Sequence, residues 1–306
     1  MRRWLAALLL ACTLPAGAEV WRFGLIGDTP YNERERAELP KMLATMTDSP
    51  VEFIVHVGDI KNGSTPCDDD VFADRFALFD ASRVPFIFVP GDNDWTDCRR
   101  VSNGSYDSLE RLAKLRDMFW REPQSLGQRR LPLERQPGEY PEHSRFRVGP
   151  VLFVTLNIPG DDNNYGPGEA PRPEFVVRQP QVMAWLADSF ALARRDKLAG
   201  IVLMFQANPG FANHSRGLPH RAFHDLLDEL QREVANFAGQ VVVVHGDTHI
   251  SRIDQPLRTT DGKVSGNFTR VETFGYPFMG WTLGVIDTDH PALFRFEPRP
   301  WPTQKD

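Results

Sequence analysis

Four stretches of this chain run apolar and then stop abruptly in Gly-Asp. They are Trp21 to Asp28 (WRFGLIGD), Val51 to Asp59 (VEFIVHVGD), Val84 to Trp95 (VPFIFVPGDNDW) and Gln240 to His249 (QVVVVHGDTH). Short apolar runs bounded by turn residues read as strands buried on both faces, the kind found in sheets covered by helices. Strands that all finish in Gly-Asp line up carboxylates along one sheet edge, where α/β folds place their ligands. Gly-Asp is also ordinary turn chemistry, and one instance would carry no weight. Four in one chain, each behind a buried strand, point to a shared site.

The segments between these strands alternate with them. Asn32 to Asp48 reads as a helix with Leu39, Met42, Leu43 and Met46 on one face. A second helix starts at Asp68 with a stripe of Val71, Phe72, Phe76 and Phe79, a core face rather than a cofactor box. Asp107 to Glu122 is a third, with Leu109, Leu112, Leu115 and Phe119 inward. Residues 123–144 are rich in Pro, Arg, Gln and Glu and read as a surface excursion. Ser144 to Arg147 and Val151 to Ile158 suggest a hairpin turning at Gly149-Pro150. The loop Gly160 to Gly168 (GDDNNYGPG) reads as too polar to be buried, a solvated turn or a substrate rim. Gln181 to Lys197 and His220 to Phe237 are further helices around the strand Gly200 to Phe205, which ends at Gln206. His220 and His224 lie one turn apart, but with no third ligand nearby they read as helix surface. After His249 three strands are expected: Val264 to Phe274, Trp281 to Asp287 and Ala292 to Phe296. The order predicts a sheet-centred α/β sandwich with helices outside.

The first 18 residues carry a different signal. Arg2 and Arg3, the apolar Trp4 to Ala11 and Ala16-Gly17-Ala18 form the three regions of a secretory leader. Leu9-Leu10-Ala11-Cys12 admits a second reading, a lipid anchor on Cys12. A single domain over residues 19–306 follows, and no later segment is long enough to cross a bilayer. The whole chain carries 35 basic and 41 acidic residues, net −6; without the leader's two arginines the balance is 33 − 41 = −8. Nucleic acid is therefore not an expected partner, because its binding relies on clustered cations. With Cys12 gone, only Cys67 and Cys98 remain, one after each of two Gly-Asp loops. A disulfide pinning those loops is the plain expectation in an oxidising compartment. Arginine outnumbers lysine 29 to 6, in keeping with a bacterial source, and the predicted location is the periplasm or the exterior.

Carboxylates gathered in one pocket need cations to stay charged. Asp28, Asp59, Asp92 and Asp247, with His249 two residues beyond the last, therefore make a case for a metal site. His56 and His245 precede the Gly-Asp turns inside apolar runs and read as structural.

These motifs resemble those of the calcineurin-like metallophosphoesterases, whose pattern is D-x-H, G-D, G-N-H-D/E, a lone histidine after a strand, and G-H-x-H. Asp28 falls on the first aspartate and Asp59 on the aspartate that bridges two metals. Gly91 to Asp94 falls on the third motif, Gln206 on the lone histidine and Gly246 to His249 on the last. The resemblance implies two mixed β-sheets packed as a sandwich flanked by helices, with metal ligands Asp28, Asp59, Asp92, Gln206, Asp247 and His249. Pro30, Asn93, Gln206 and Asp247 stand where the family has histidines. Asp92 stands where it has asparagine. A donor set moved from imidazole to oxygen favours Mg²⁺, Mn²⁺ or Ca²⁺ over Zn²⁺ or iron. One position would have Asp28, Asp59 and His249; the other Asp59, Asp92, Asp247 and Gln206.

The implied activity is hydrolysis of a small phosphorylated substrate, a phosphate mono- or diester, by metal-activated water. Asn93 would contact a phosphate oxygen without offering an acidic proton, which leaves Asp94 or a nearby histidine to supply it. The contrasting expectation is a non-catalytic relative that binds a metal or a phosphorylated ligand.

Overall fold

A computed structural model describes residues 19–218 and 220–302; the expected leader, residues 1–18 with Cys12, lies outside the described residues. Twelve strands form two sheets. In chain order they are β1 (Val20–Ile26), β2 (Phe53–His56), β3 (Phe86–Phe88), β4 (Glu134–Arg135), β5 (Ser144–Val148), β6 (Val151–Thr155), β7 (Gly200–Met204), β8 (Gln240–His245), β9 (Arg252–Asp254), β10 (Phe268–Glu272), β11 (Gly280–Asp287) and β12 (Phe294–Pro300). One sheet has the order β12-β11-β1-β2-β3 and the other β4-β5-β6-β7-β8-β10-β9. Both are mixed: β1, β2 and β3 run parallel, as do β6, β7, β8 and β10, and the remaining pairings are antiparallel.

The strand sequences explain the sandwich. Phe23, Leu25, Phe53, Val55 and Ile87 from the first sheet meet Val151, Phe153, Val202, Met204, Val242 and Val244 from the second in a buried layer between the sheets. The alternate residues face outward onto helices. Leu152, Val154, Ile201, Leu203, Val241 and Val243 pack with Val182, Trp185, Leu186 and Leu227, from the helices Pro173–Arg195 and His224–Ala235. Ile26, Ile54 and Phe86 pack with Met42, Phe72 and Leu115, from the helices Glu33–Asp48, Asp69–Asp80 and Ser108–Phe119. Burial on both faces is what turned the strand sequences into unbroken apolar runs. Gly24 lets a helix come close, since a Cβ there would stand 2.3 Å from the Met46 Cε.

Several local expectations need correction. Leu109 is 53% exposed and points outward. The last long helix begins at His224, not His220, while the one before it begins eight residues earlier than expected, at Pro173, where proline suits a first helical turn. The excursion at 123–144 is tied down: Leu126 exchanges both backbone hydrogen bonds with Phe86 at 2.9 Å, and β4 pairs with β5. The loop after β6 is a solvated turn only in part, because Asn163 and Asn164 are buried while Asp162, Pro167 and Gly168 are exposed. Asp161, Asp162, Asn163 and Asn164 all have φ between 47° and 55°, a left-handed turn. Arg178, 1% exposed, holds it by donating to Asn157 O, Asn163 Oδ1 and Asn163 O, each at 2.8 Å. Such a turn costs roughly 1–2 kcal/mol per residue and persists only where side chains impose it.

The Cys67–Cys98 disulfide is present, with both residues fully buried. It joins the loop after β2 to the loop after β3. Among the described residues no helix is long and apolar enough to cross a membrane.

Candidate metal centre

The carboxyl ends of β1, β2, β3, β7 and β8 open on the same end of the sandwich, and the loops that leave them carry the acidic residues. Three of these acids and one histidine sit in the left-handed backbone region: Asp28 (φ 51°), Asp59 (φ 60°), Asp247 (φ 78°) and His249 (φ 59°). Aspartate tolerates that conformation better than most residues, yet each instance stores strain, and clustered strain marks functional sites.

The loops are held to one another by the side chains. Asp28 accepts from Asp247 N at 3.0 and 3.2 Å, tying the first loop to the fourth. Asp59 Oδ1 accepts from Asn93 N at 3.0 Å and Asp59 Oδ2 from Asn93 Nδ2 at 2.8 Å, tying the second to the third. Asp247 Oδ2 accepts from Asn208 N at 2.8 Å. His249 Nδ1 pairs with the carbonyl of Tyr276 at 2.8 Å, so Nδ1 carries the proton and Nε2 turns its lone pair toward Asp28 Oδ1, 3.6 Å away. Buried Glu272 supports the fourth loop by accepting from Thr248 Oγ1, from Ile250 N at 3.1 Å and from Arg252 Nε at 2.6 Å.

Electrostatics agree with the geometry. Asp28 is raised well above the usual carboxylate range, by burial first and by Asp247 and Asp92 next. Burial likewise raises Asp59, reinforced by Asp92, Asp94 and Asp28. It raises Asp92 too, with Asp247, Asp97 and Asp161 adding to it. These carboxyls repel one another in a space where a cation would favour their ionisation. Room for donors is built into the backbone: a Cβ on Gly91 would stand 2.1 Å from Asp59 Oδ1, and one on Gly246 2.1 Å from Asp28 Oδ2. One on Gly160 would stand 2.6 Å from Asp92 Oδ1 and 3.0 Å from Asp247 Oδ1. Asp92 Oδ1 is buried with no hydrogen-bond partner.

Two residues expected at the site face elsewhere. Asp94 is not an acid poised over a substrate. It is fully buried, and its oxygens accept from Gly91 N at 2.7 Å, Asp59 N at 2.9 Å and Ile60 N at 2.9 Å. Its part is to shape two Gly-Asp turns. Gln206 is a strut, not an open donor, because its carbonyl oxygen accepts from Gly160 N and the atom left unpaired is its amide nitrogen. Its stem lies beneath Gly58 and Gly91, where an added Cβ would meet it at 2.8 Å.

The buried histidines also serve the loops. His56 Nδ1 accepts from Gly58 N at 3.2 Å and Nε2 pairs with Thr29 O at 2.7 Å, joining the first loop to the second. Burial lowers His56 and His245 to about 4, so both are neutral at pH 7. His220 and His224 do not converge: the first stands 3.4 Å from Asp162 and the second 3.3 Å from Asp228.

Sequence reasoning missed Tyr31. Its hydroxyl stands 2.9 Å from Asp59 Oδ2, 3.1 Å from Asn93 Nδ2 and 3.3 Å from His249 Nε2. Burial and the charges of Asp59 and Asp28 push its phenol well above the usual range. The signal was available: an oxygen donor three residues after the first Gly-Asp, next to Pro30, which has no donor. Lys61, fully buried and acted on most strongly by the charges of Asp94 and Asp59, was also passed over.

No protein-family model and no curated protein matches the chain, but solved structures do. A dimetal phosphatase from Danio rerio superposes with a TM-score of 0.57 over 92% of this chain and 96% of its own, at 14% identity. The chain has the calcineurin-like metallophosphoesterase fold. The protein TT1561 of Thermus thermophilus shares this fold at a TM-score of 0.51 and 13% identity, over 92% of this chain and 99% of its own. So does the purple acid phosphatase PPD1 of yellow lupin seeds, at 0.52 and 11%, over 87% of this chain and 49% of that longer one. At such identities the likeness establishes the metallophosphoesterase fold alone.

The donor set here is suited to a divalent cation: crowded carboxylates, an unpaired buried Asp92 oxygen and glycines that leave the space open. Among the described residues, no three His, Cys, Asp or Glu side chains by themselves form a metal-binding cluster.

Proposed function

We propose that this protein is an exported, metal-dependent phosphoesterase that hydrolyses a small phosphate mono- or diester. The observation that carries the reading is the convergence of Asp28, Asp59, Asp92, Asp247 and His249 from separate strand ends on one strained, buried basin. Asp28, Asp59 and His249 would hold one cation and Asp59, Asp92 and Asp247 a second. Oxygen donors predominate in both sets, so Mn²⁺, Mg²⁺ or Ca²⁺ is preferred over Zn²⁺ or iron. When bound, such ions supply Lewis-acid charge to the phosphate oxygens and acidify the attacking water. The buried disulfide between two site loops supports export to an oxidising compartment, periplasmic or extracellular.

The chain's own groups set the substrate preference. Asn93, 7% exposed, donates through its amide to Asp59 and Tyr31, which fixes the bridging carboxylate. An amide gives no proton to a leaving alcohol, and Asp94 is committed to backbone N–H groups. Esters with acidic leaving groups, such as aryl phosphates, are therefore the expected substrates. Those same two features favour a second reading, a non-catalytic protein that binds metal or a phosphorylated ligand on the same fold.

The deciding experiment is hydrolysis of aryl phosphate mono- and diesters by residues 19–306 with added Mn²⁺. Turnover that falls steeply as the leaving group becomes less acidic, and that disappears in Asp59→Asn, is expected. Cation binding without turnover on any ester would leave the second reading standing.

A further inference from the structure

Among the described residues only two aromatic side chains are exposed, Tyr276 at 43% and Phe278 at 68%. Both belong to one tight turn, Gly275-Tyr276-Pro277-Phe278, between β10 and β11. Exposed apolar groups scattered singly need no explanation, but a pair on one turn beside a candidate site does.

The turn is fastened to the basin. Tyr276 N donates to Asp28 O at 3.4 Å, and Tyr276 O pairs with His249 Nδ1 at 2.8 Å. Phe278 N donates to Gly275 O at 3.0 Å, which closes the turn. The Tyr276 ring lies against that of Tyr31, with centroids 6.1 Å apart and planes at 25°, and the Tyr31 hydroxyl is 2.9 Å from Asp59 Oδ2. The direction of Phe278 follows from its pairing. Gly275 and Phe278 form an antiparallel bridge, and opposed residues in such a pair send their side chains to the same face. At Gly275 that face is the basin, because a Cβ there would stand 2.8 Å from Asp28 Cβ and 2.8 Å from His249 Cγ. Phe278 therefore leaves the turn on the side of Asp28 and His249, with most of its ring in solvent. Rings held ready on a fixed turn lose little freedom when a ligand stacks on them.

We propose that Tyr276 and Phe278 bind the aromatic group of an aryl phosphate whose phosphoryl oxygens lie over the carboxylate basin. The inference rests on the reading of this basin as a cation-dependent phosphate site. Pro277 adds an apolar ring between the two, and the only polar side-chain group of the turn is the Tyr276 hydroxyl, so an aryl group suits it better than a sugar or a charged alcohol. The preference for aryl esters thus has two independent sources. The lack of a free proton donor favours acidic leaving groups, and the turn favours flat ones.

Phosphonates separate recognition from turnover, because their P–C bond is not hydrolysed. Calorimetry of residues 19–306 with saturating Mn²⁺ should show phenylphosphonate binding on the order of tenfold tighter than methylphosphonate. It should also bind tighter than cyclohexylphosphonate, which has similar bulk and no π face. The phenyl preference should fall in Phe278→Ala and disappear when Tyr276→Ala is added. The readout is the ratio of phenyl to methyl affinity, so a general loss of phosphonate binding in a variant does not mimic the result. A parent that binds phenylphosphonate no tighter than the other two, or a phenyl preference that survives the double substitution, would overturn the proposal and leave the phosphate site standing. Failure of the parent to bind any of the three with Mn²⁺ present would overturn both.

Discussion

Gly160→Ala puts one methyl group into the space between Asp92 and Asp247 and changes nothing else about the donor set. The added Cβ would stand 2.6 Å from Asp92 Oδ1, 2.9 Å from Asp92 Cγ and 3.0 Å from Asp247 Oδ1. Ordinary contact begins at 3.4 Å, so the first overlap is 3.4 − 2.6 = 0.8 Å. Two relaxations are available. The carboxylates can turn away, which removes them from the second cation position. Alternatively the left-handed turn after Gly160 can shift, which breaks the bond from Gly160 N to Gln206 and disturbs a turn that Arg178 clamps. Over-packing of this kind costs about 1–3 kcal/mol, a loss of a few degrees in Tm for a chain of this size. Displacing carboxylates around a metal typically weakens its binding about 10- to 100-fold. Calorimetric titration with Mn²⁺ reads the second effect and thermal unfolding in chelator the first. Gly168→Ala is the control, because a Cβ there meets only Ala170 O at 3.8 Å. If Gly160→Ala binds Mn²⁺ with unchanged stoichiometry and affinity, then Asp92 and Asp247 do not cage a cation and the second position does not exist.

Three further outcomes follow from particular contacts. Replacing both Cys67 and Cys98 by serine opens a loop with a sequence separation of 31 and should lower stability by roughly 3–4 kcal/mol, read by urea unfolding. Asp94→Asn should separate from Asp59→Asn: the first leaves an amide group facing buried backbone N–H groups and costs about 1–3 kcal/mol of stability. The second should abolish cation binding with a smaller effect on folding. Burial lowers the His143 imidazole to about 4, while the unfolded chain takes up a proton below its ordinary value near 6.5. Its stabilising contribution is therefore complete above pH 6.5 and is lost as pH falls toward 4. The advantage of the parent over His143→Gln, measured by urea unfolding, should shrink by roughly 2 kcal/mol between pH 7.5 and 4.5.

Much of the fold was readable from the chain because one physical constraint wrote it. Strands buried on both faces must be apolar throughout, so β1, β2, β3, β7 and β8 stood out, and Gly-Asp after β1, β2, β3 and β8 located the basin. Helix stripes were legible for the same reason, since Leu39, Met42 and Met46 are all fully buried. Local errors arose where tertiary contacts overrode composition. The segment GDDNN reads as solvated, yet Arg178, Glu174 and Gln179 from a helix ten or more residues away satisfy Asn163 and Asn164, which are buried, while Asp162 stays exposed. Leu109 has the apolar character of a core residue but lies on the open side of its helix.

Which acids converge was legible in the sequence: aspartates that each follow a buried strand meet at one end of the sandwich, although the strands before them belong to two sheets rather than one. What each side chain does there was decided only by the assembled structure. Asp94 and Asp92 are two residues apart and chemically identical, yet one is consumed by three backbone N–H groups and the other keeps a buried oxygen unpaired. Tyr31 was passed over in the sequence, and only the folded chain brings His249 to its hydroxyl. Hydrogen-bond partners from distant strands assign those roles, and a linear pattern records which groups are present but not which way they turn.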